Sequence, residues 1–299
     1  MAELEYKLVD VFTGTAFAGN VAGVVRGGEG LSDKQMLLVT RELGAAATAF
    51  LLPAKSKAAD SGVRWFSSGG ELTFCGHGTL GAAHVLFTEA DADALTLECK
   101  AGIVQIARSQ TKSGNCYWLD MPHCEPKGGP VFLPPWLERL GLTMNDVDSR
   151  IPAIRTQDDD VIFAVRELQT LLSMNPNSAE LGRASKREQI RGFLVTTTNV
   201  LSPATVTQSR FFAPACGIEE DPVTGSVHGP LGLHLVKSGI VPLAEGRAGF
   251  LCAQAKPGSR AGVVQVEVTA REGGAHLVRI GGGCLTTASG VVLRLPARD

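Results

Sequence analysis

A thiol, an imidazole and a carboxylate stand beside glycines in two short segments, one in each half of the chain. The first is Phe74-Cys75-Gly76-His77-Gly78-Thr79-Leu80-Gly81, and the second is Glu220-Asp221-Pro222-Val223-Thr224-Gly225-Ser226-Val227-His228-Gly229. In both, small residues lead into an apolar stretch of helical type, Leu80 to Phe87 and Leu231 to Val236. A helix entrance presents unpaired backbone N–H groups at the positive end of the helix dipole, which suits a carboxylate. Two such entrances facing each other would form a cleft with Cys75, His77 and Asp221 at its lip. The chemistry of that set is acid–base: proton movement on a small carboxylate-bearing molecule.

Each of these residues also has a plainer reading. His77, next to Gly76 where backbone can approach a ligand closely, is either a proton-handling group or a satisfied capping histidine. Asp221, before Pro222, is either a direct ligand or a cap for the following turn. Gly225 and Ser226 either hold a carboxylate or simply begin a helix, and the two readings coincide physically. Cys75 at a helix N-terminus has a stabilised thiolate and can act as an acid or base, or it is a small packed residue. Cys216 falls short of the second helix start, which argues against a two-cysteine racemase. Glu71 either orients His77 or sits in a surface turn. His228, two positions after Ser226 on a helix, is expected to point away from it. Asn20, after a glycine, reads as an Asx turn or a ligand contact. The run Asp158-Asp159-Asp160 lacks further spaced oxygens for a cation and reads as a solvated loop.

The elements around these motifs follow from pattern. Tyr6 to Phe12, Ala22 to Val25, Thr48 to Leu52 and Gly62 to Phe66 read as strands. Ser32 with Gln35 forms a capping-box signature before the apolar face Met36, Leu37, Val39 and Leu43. Leu95 to Cys99, Ile103 to Ala107 and Cys116 to Met121 are further strands. Pro134 to Leu137 and Leu168 to Met174 read as short helices, Val161 to Val165 and Phe193 to Thr197 as strands. Strands at Gly249 to Ala253, Val263 to Val268, Leu277 to Ile280 and Val291 to Leu295 close the chain. Arg210-Phe211-Phe212-Ala213 leads into the second motif as Arg64-Trp65-Phe66-Ser67 leads into the first. The halves therefore share a grammar, without the short period of a solenoid. The stretch Glu125 to Pro130 is the linker candidate.

Composition narrows the class. A length of 299 residues favours two domains. A balance of 28 basic against 30 acidic residues argues against nucleic acid or an anionic membrane as partner. No apolar run approaches the roughly 20 residues of a membrane span, and the N-terminus shows no secretory signal. Seven scattered cysteines without a CxxC pair are expected to be reduced thiols in a cytoplasmic protein, with neither disulfides nor a metal.

The motifs together resemble the PhzF family, the phenazine-biosynthesis-like isomerases of the diaminopimelate-epimerase-like fold. The matching stretches are Val9-Asp10-Val11-Phe12, Phe17-Ala18-Gly19-Asn20, Arg41-Glu42-Leu43-Gly44, Glu71 to His77, Arg210 to Pro214 and Glu220 to Ser226, with Arg260-Ala261-Gly262 and Gly281-Gly282 later. The resemblance implies an α/β (α+β) protein of two pseudo-symmetric domains, each a sheet wrapped round a central helix, with the active site between them. The domains expected are residues 1–115 plus a returning segment 285–299, and residues 116–284. It also implies a homodimer, no metal and no organic cofactor. His77 and Asp221 would handle protons with Cys75 in reserve, while Asn20, Gly76, Gly225 and Ser226 hold the substrate.

One position departs from the family pattern. Such proteins carry Ser-Glu-Thr-x-Phe after the first helix, the glutamate being the proton shuttle, whereas this chain reads Ala46-Ala47-Thr48-Ala49-Phe50. Ala47 has no proton to move, and a general acid–base group contributes about 10²–10⁴-fold. The expectation is a cofactor-independent isomerase, by proton shift, epimerisation or acid–base cyclisation, in which other residues carry the chemistry. The alternative is a catalytically silent binding or scaffold protein.

Overall fold

A computed structural model describes residues 4–111 and 114–295; residues 1–3, 112–113 and the last four of the returning segment expected at 285–299 lie outside the described residues. The chain divides into two compact units, residues 1–120 with 281–299, and residues 121–280.

The first unit runs β1 (Leu4–Val11), β2 (Asn20–Val25), α1 (Asp33–Leu43), β3 (Ala47–Leu52), β4 (Ser61–Ser67), β5 (Gly70–Leu72), α2 (Gly76–Phe87), β6 (Ala94–Cys99), β7 (Gly102–Thr111) and β8 (Gly114–Asp120). β2 and β3 pair in parallel, β4 pairs antiparallel with β3 and β5 and parallel with β6, and β6, β7 and β8 form a meander. The expected capping box starts α1: Ser32 Oγ accepts from the Gln35 N–H at 3.3 Å and Gln35 Oε1 accepts from the Ser32 N–H at 3.1 Å. Met36 and Val39 of α1 then pack on Leu4, Val25, Phe50 and Phe66. α2 is apolar almost all round, which requires burial on all sides. It touches β1, β2, β3 and β8, so the sheet curls about it.

The second unit runs α3 (Pro134–Arg139), β9 (Ile154–Arg155), β10 (Asp160–Ala164), α4 (Leu168–Ser173), α5 (Ser178–Arg187), β11 (Gly192–Thr197), β12 (Thr207–Ala213), β13 (Ile218–Asp221), α6 (Gly225–Lys237), β14 (Arg247–Gln254), β15 (Gly262–Ala270) and β16 (His276–Gly282). β10 and β11 pair in parallel, β12 is antiparallel to β11 and β13 and parallel to β14, and β14 is antiparallel to β15. This repeats, pairing for pairing, the order from β2 to β7. The duplication expected from the sequence is thus a duplication of topology, with α6 in the place of α2. The core of this unit gathers Trp136, Leu137, Phe163, Leu171, Leu181, Phe193 and Phe212.

A final strand, β17 (Cys284–Val292), pairs antiparallel with β1 along its whole length and also borders α2. It begins earlier than the expected Val291 to Leu295, because pairing to β1 fixes it rather than its own apolar content. The helix α5 was not anticipated. Its Asn177 cap accepts from the Glu180 N–H at 3.1 Å, but only Leu181, Gly182, Ala184 and Ser185 are buried in an otherwise charged sequence.

Both units share one more device. Arg64 Nε donates to Glu71 at 2.8 Å across the β4–β5 hairpin, and its guanidinium lies 5.1 Å from the Phe66 ring. Arg210 forks onto both oxygens of Glu220 at 2.8 and 2.7 Å across β12–β13, 4.8 Å from the Phe212 ring. Glu71 is therefore a clamp for Arg64 and Lys100, a correction to its expected choice between orienting His77 and a plain surface turn.

Candidate functional site

At the start of α2 the chain leaves β5 and turns into the helix at Gly76, so His77 lies in the first turn rather than ahead of the helix. Thr79 Oγ1 donates to the Cys75 carbonyl at 2.7 Å and fixes this turn. Cys75 is the N-cap, buried, and its side chain makes no cap hydrogen bond. Its Sγ instead lies 3.6 Å from His77 Nδ1 and 3.9 Å from Nε2, within reach of a sulfur hydrogen bond. Desolvation lowers the imidazole of the partly exposed His77 to about 4, so the ring is neutral at pH 7 and protonates only with difficulty. The two glycines here do different work. A Cβ on Gly76 would meet nothing within 4 Å, which leaves backbone open to a ligand; one on Gly78 would come 2.8 Å from Trp65 and 3.1 Å from Cys75 Sγ. Trp65 is buried, and its indole N–H has no acceptor among the described residues.

Asn20 and Ala47 belong to the same unit and are both buried. Asn20 opens β2 opposite Val11 of β1. Ala47 opens β3 in register with Ala22. Ala22 lies against α2, where a Cβ on Gly81 would meet it at 2.8 Å. Neighbouring residues in register share a sheet face, so Ala47 lies on the α2 side of the sheet.

The start of α6 is built from hydrogen bonds. Thr224, its N-cap, makes no cap bond either; its hydroxyl donates to Asp221 Oδ2 at 2.5 Å. Gln254, fully buried at the end of β14, accepts from the Thr224 N–H at 2.9 Å and donates to the Asp221 carbonyl at 2.8 Å and to Thr224 Oγ1 at 3.1 Å. Gly225 is buried, while Ser226 is partly exposed. His228 is buried, with Nδ1 2.8 Å from the Thr224 carbonyl, and burial lowers it to about 4 against the pull of that carbonyl. Cys216 is exposed in the turn after β12.

The aspartate run is the main correction. It is an ion-pair centre, not a solvated loop. Asp159 accepts from Lys127 at 2.7 Å and from Arg155 at 2.8 Å. Asp160 is buried at the mouth of β10 and takes both arms of Arg191, whose Nη2 also donates to Ser226 Oγ at 3.0 Å. Asp160 faces Gly192 in the parallel register, which brings the preceding Arg191 within reach. Sequence reasoning missed Arg191, Gln254 and Trp65. For Arg191 a signal existed: both β10 and β11 are fully buried strands entered by a charge, and a buried charge requires a partner.

The two helix starts can each seat an anion, and the first adds a neutral imidazole beside a thiol. Among the described residues, four helices have ten or more residues, and of these α1 and α5 are capped by a side chain while α2 and α6 are not. Their first-turn N–H groups are thus spared by the N-cap side chain.

Comparison with known proteins gives the family and the fold. Residues 9–290 match the family of phenazine biosynthesis-like proteins, PhzC-PhzF. An uncharacterized isomerase of Clostridium acetobutylicum is 30% identical over 266 residues, 87% of this chain and 88% of the relative. The uncharacterized isomerase YddE of Salmonella typhimurium is 32% identical over 285 residues, 92% and 93% of the two chains. The crystal structure of a Bacillus anthracis phenazine biosynthesis protein of the PhzF family superposes with a TM-score of 0.87 at 26% identity, covering 98% of this chain and all of the other. Among the described residues no helix is long and apolar enough to cross a membrane.

Proposed function

The chain belongs to the phenazine biosynthesis-like protein family, and from that premise we propose that it is a cofactor-independent isomerase of a small carboxylate-bearing metabolite. The relatives named as isomerases support the class. The observation that carries the reading is His77, 3.6 Å from the Cys75 thiol, in the first turn of a helix whose N-cap side chain leaves the N–H groups to a ligand. A neutral imidazole takes a proton from carbon, and the conjugate acid returns it to another carbon, so the product is an isomer and nothing is consumed. Asp221 supplies the second proton-handling group, with Cys75 in reserve beside His77. Asn20, Gly76, Gly225 and Ser226 hold the substrate. The reading requires one substrate to depend on both helix starts.

Ala47 favours a second reading, a binding protein with no turnover, because a buried alanine replaces the carboxylate that the family pattern puts there. Solvent-deuterium incorporation into a cyclic dienoic acid of the phenazine-precursor type separates the two. The isomerase reading expects exchange by the parent protein, falling about 10²–10⁴-fold in His77→Ala and in Asp221→Asn while the thermal transition stays in place. Activity surviving both substitutions removes these residues from the mechanism. A parent that does not exchange, with exchange appearing in a folded Ala47→Glu variant, establishes the silent reading instead.

A further inference from the structure

We propose that Arg191 is a positioning residue that acts through Ser226, committing the Ser226 hydroxyl as a donor toward a carboxylate at the start of α6; this rests on the substrate reading above. Three observations carry it. First, Arg191 Nη2 donates to Ser226 Oγ at 3.0 Å, and Ser226 is the second residue of α6. A hydroxyl that accepts from a fixed cation has its own proton left to give. Ser226 is partly exposed, so that proton can reach a ligand.

Second, the guanidinium is held rigidly. Nε donates to Asp160 Oδ1 at 2.8 Å and Nη2 donates to Oδ2, a two-point fork that sets the plane of the group. The Asp160 side chain is 1% exposed and cannot swing away. Asp160 raises the already high pKa of the guanidinium, whose side chain is 35% exposed, while burial pushes the Asp160 carboxyl upward against the pull of Arg191.

Third, the charge of Arg191 is already matched. Asp160 neutralises it, and Asp158 stands a further 3.8 Å from Nη2. The local sum is not positive, so Arg191 is poorly suited to capture a carboxylate by charge. What it supplies is orientation: a hydroxyl dipole aimed outward beside the N–H groups of the helix start. Lysine is not equivalent here. An ammonium can pair with Asp160 but lacks the planar fork that serves Asp160 and Ser226 together.

Benzoate, an unreactive carboxylate, provides the test by calorimetric titration of the full chain. Ser226→Ala, Arg191→Met and Arg191→Lys should each weaken binding about tenfold, the loss of one hydrogen bond to a charged group. Arg191→Met combined with Ser226→Ala should bind no more weakly than either alone, because both remove the same hydroxyl contact. In the exchange assay the Arg191 variants should raise KM more than they lower kcat. Arg191→Lys retains the ion pair to Asp160 and should keep the parent's thermal transition, which separates positioning from folding should Arg191→Met unfold. Losses that multiply to about a hundredfold in the double variant would show Arg191 gripping the carboxylate itself and overturn the proposal. Parent-like affinity in Arg191→Lys overturns it as well. If the parent binds no benzoate, the carboxylate reading of the site falls first and this one falls with it.

Discussion

The starts of α2 and α6 occupy equivalent places in a repeated topology, yet they are made of different materials. Around α2 the side-chain contacts are few: Cys75 against His77 and Gly78 close to Trp65, with the imidazole lowered by desolvation. Around α6 they are polar and cross-linked: Asp221 to Thr224, Gln254 to both, and Arg191 between Asp160 and Ser226. A wired site is suited to holding an anion in one orientation. The repeated topology thus presents two helix starts with different surroundings, and in the reading proposed above each contributes both proton-handling and substrate-holding residues.

The sharpest way to break this comparison uses the arginine clamp that both units share. Arg210 is 2% exposed and also donates to the Leu171, Leu172 and Met174 carbonyls, whereas the Arg64 side chain is 29% exposed. Arg210→Met strands a glutamate and three carbonyls and should cost about 3–5 kcal/mol, while Arg64→Met should cost about 1 kcal/mol or less. Urea unfolding of both variants measures this; equal costs would mean that the two clamps are energetically alike despite their burial.

A smaller effect separates the two glycines of the α2 start. Gly78→Ala drives a methyl into Trp65 and Cys75 and should destabilise by about 1–3 kcal/mol. Gly76→Ala meets open space and should leave the melting temperature near that of the parent while weakening carboxylate binding. A Gly78→Ala protein as stable as the parent would show that Trp65 can withdraw and that the α2 start is not tightly packed.

The smallest effect is in pH. His77 and His228 are both lowered to about 4, so the unfolded chain binds more protons than the folded one between about pH 6.5 and 4. Their contribution to stability should therefore fall as pH drops through that window and level off below it, where the lowered carboxylates such as Asp146 and Asp159 take over the acid loss. His228→Gln should flatten the slope of the urea midpoint without touching the α2 start, and in the parent the exchange rate should hold down to near pH 5. A rate that halves near pH 6.5 would mean that His77 is solvated.

Much of this was legible from residue types alone. The capping box at Ser32 and Gln35, the strand before each motif and the placement of Gly76 and Gly225 at helix starts follow from local rules that tertiary packing did not override. What escaped was set by partners distant in sequence. Glu71 reads as a loop acid until β4 and β5 pair and bring Arg64 to it. Asp160 reads as solvated because Arg191, some thirty residues away, becomes its partner only through the parallel register of β10 and β11, and Asp159 because Lys127 lies as far away in the other direction. Helix α5 hid behind its charges, since two apolar contacts suffice where a good asparagine cap starts the helix.

The long pairing of β1 with β17 sets an order of events during synthesis. β1 joins residues 4–11 to residues 284–292, so the first unit is not complete until the ribosome has made the whole of the second. At about 5–20 residues per second, translating the intervening second unit takes on the order of ten seconds. Through that interval β1 has only β2 beside it, and one edge carries unpaired backbone groups open to other chains. The second unit, contiguous in sequence, has no such wait. A nascent chain stalled before Cys284 should therefore resist protease across residues 121–280 and be cut within the first unit, and aggregation of a slowly translated chain should begin at β1.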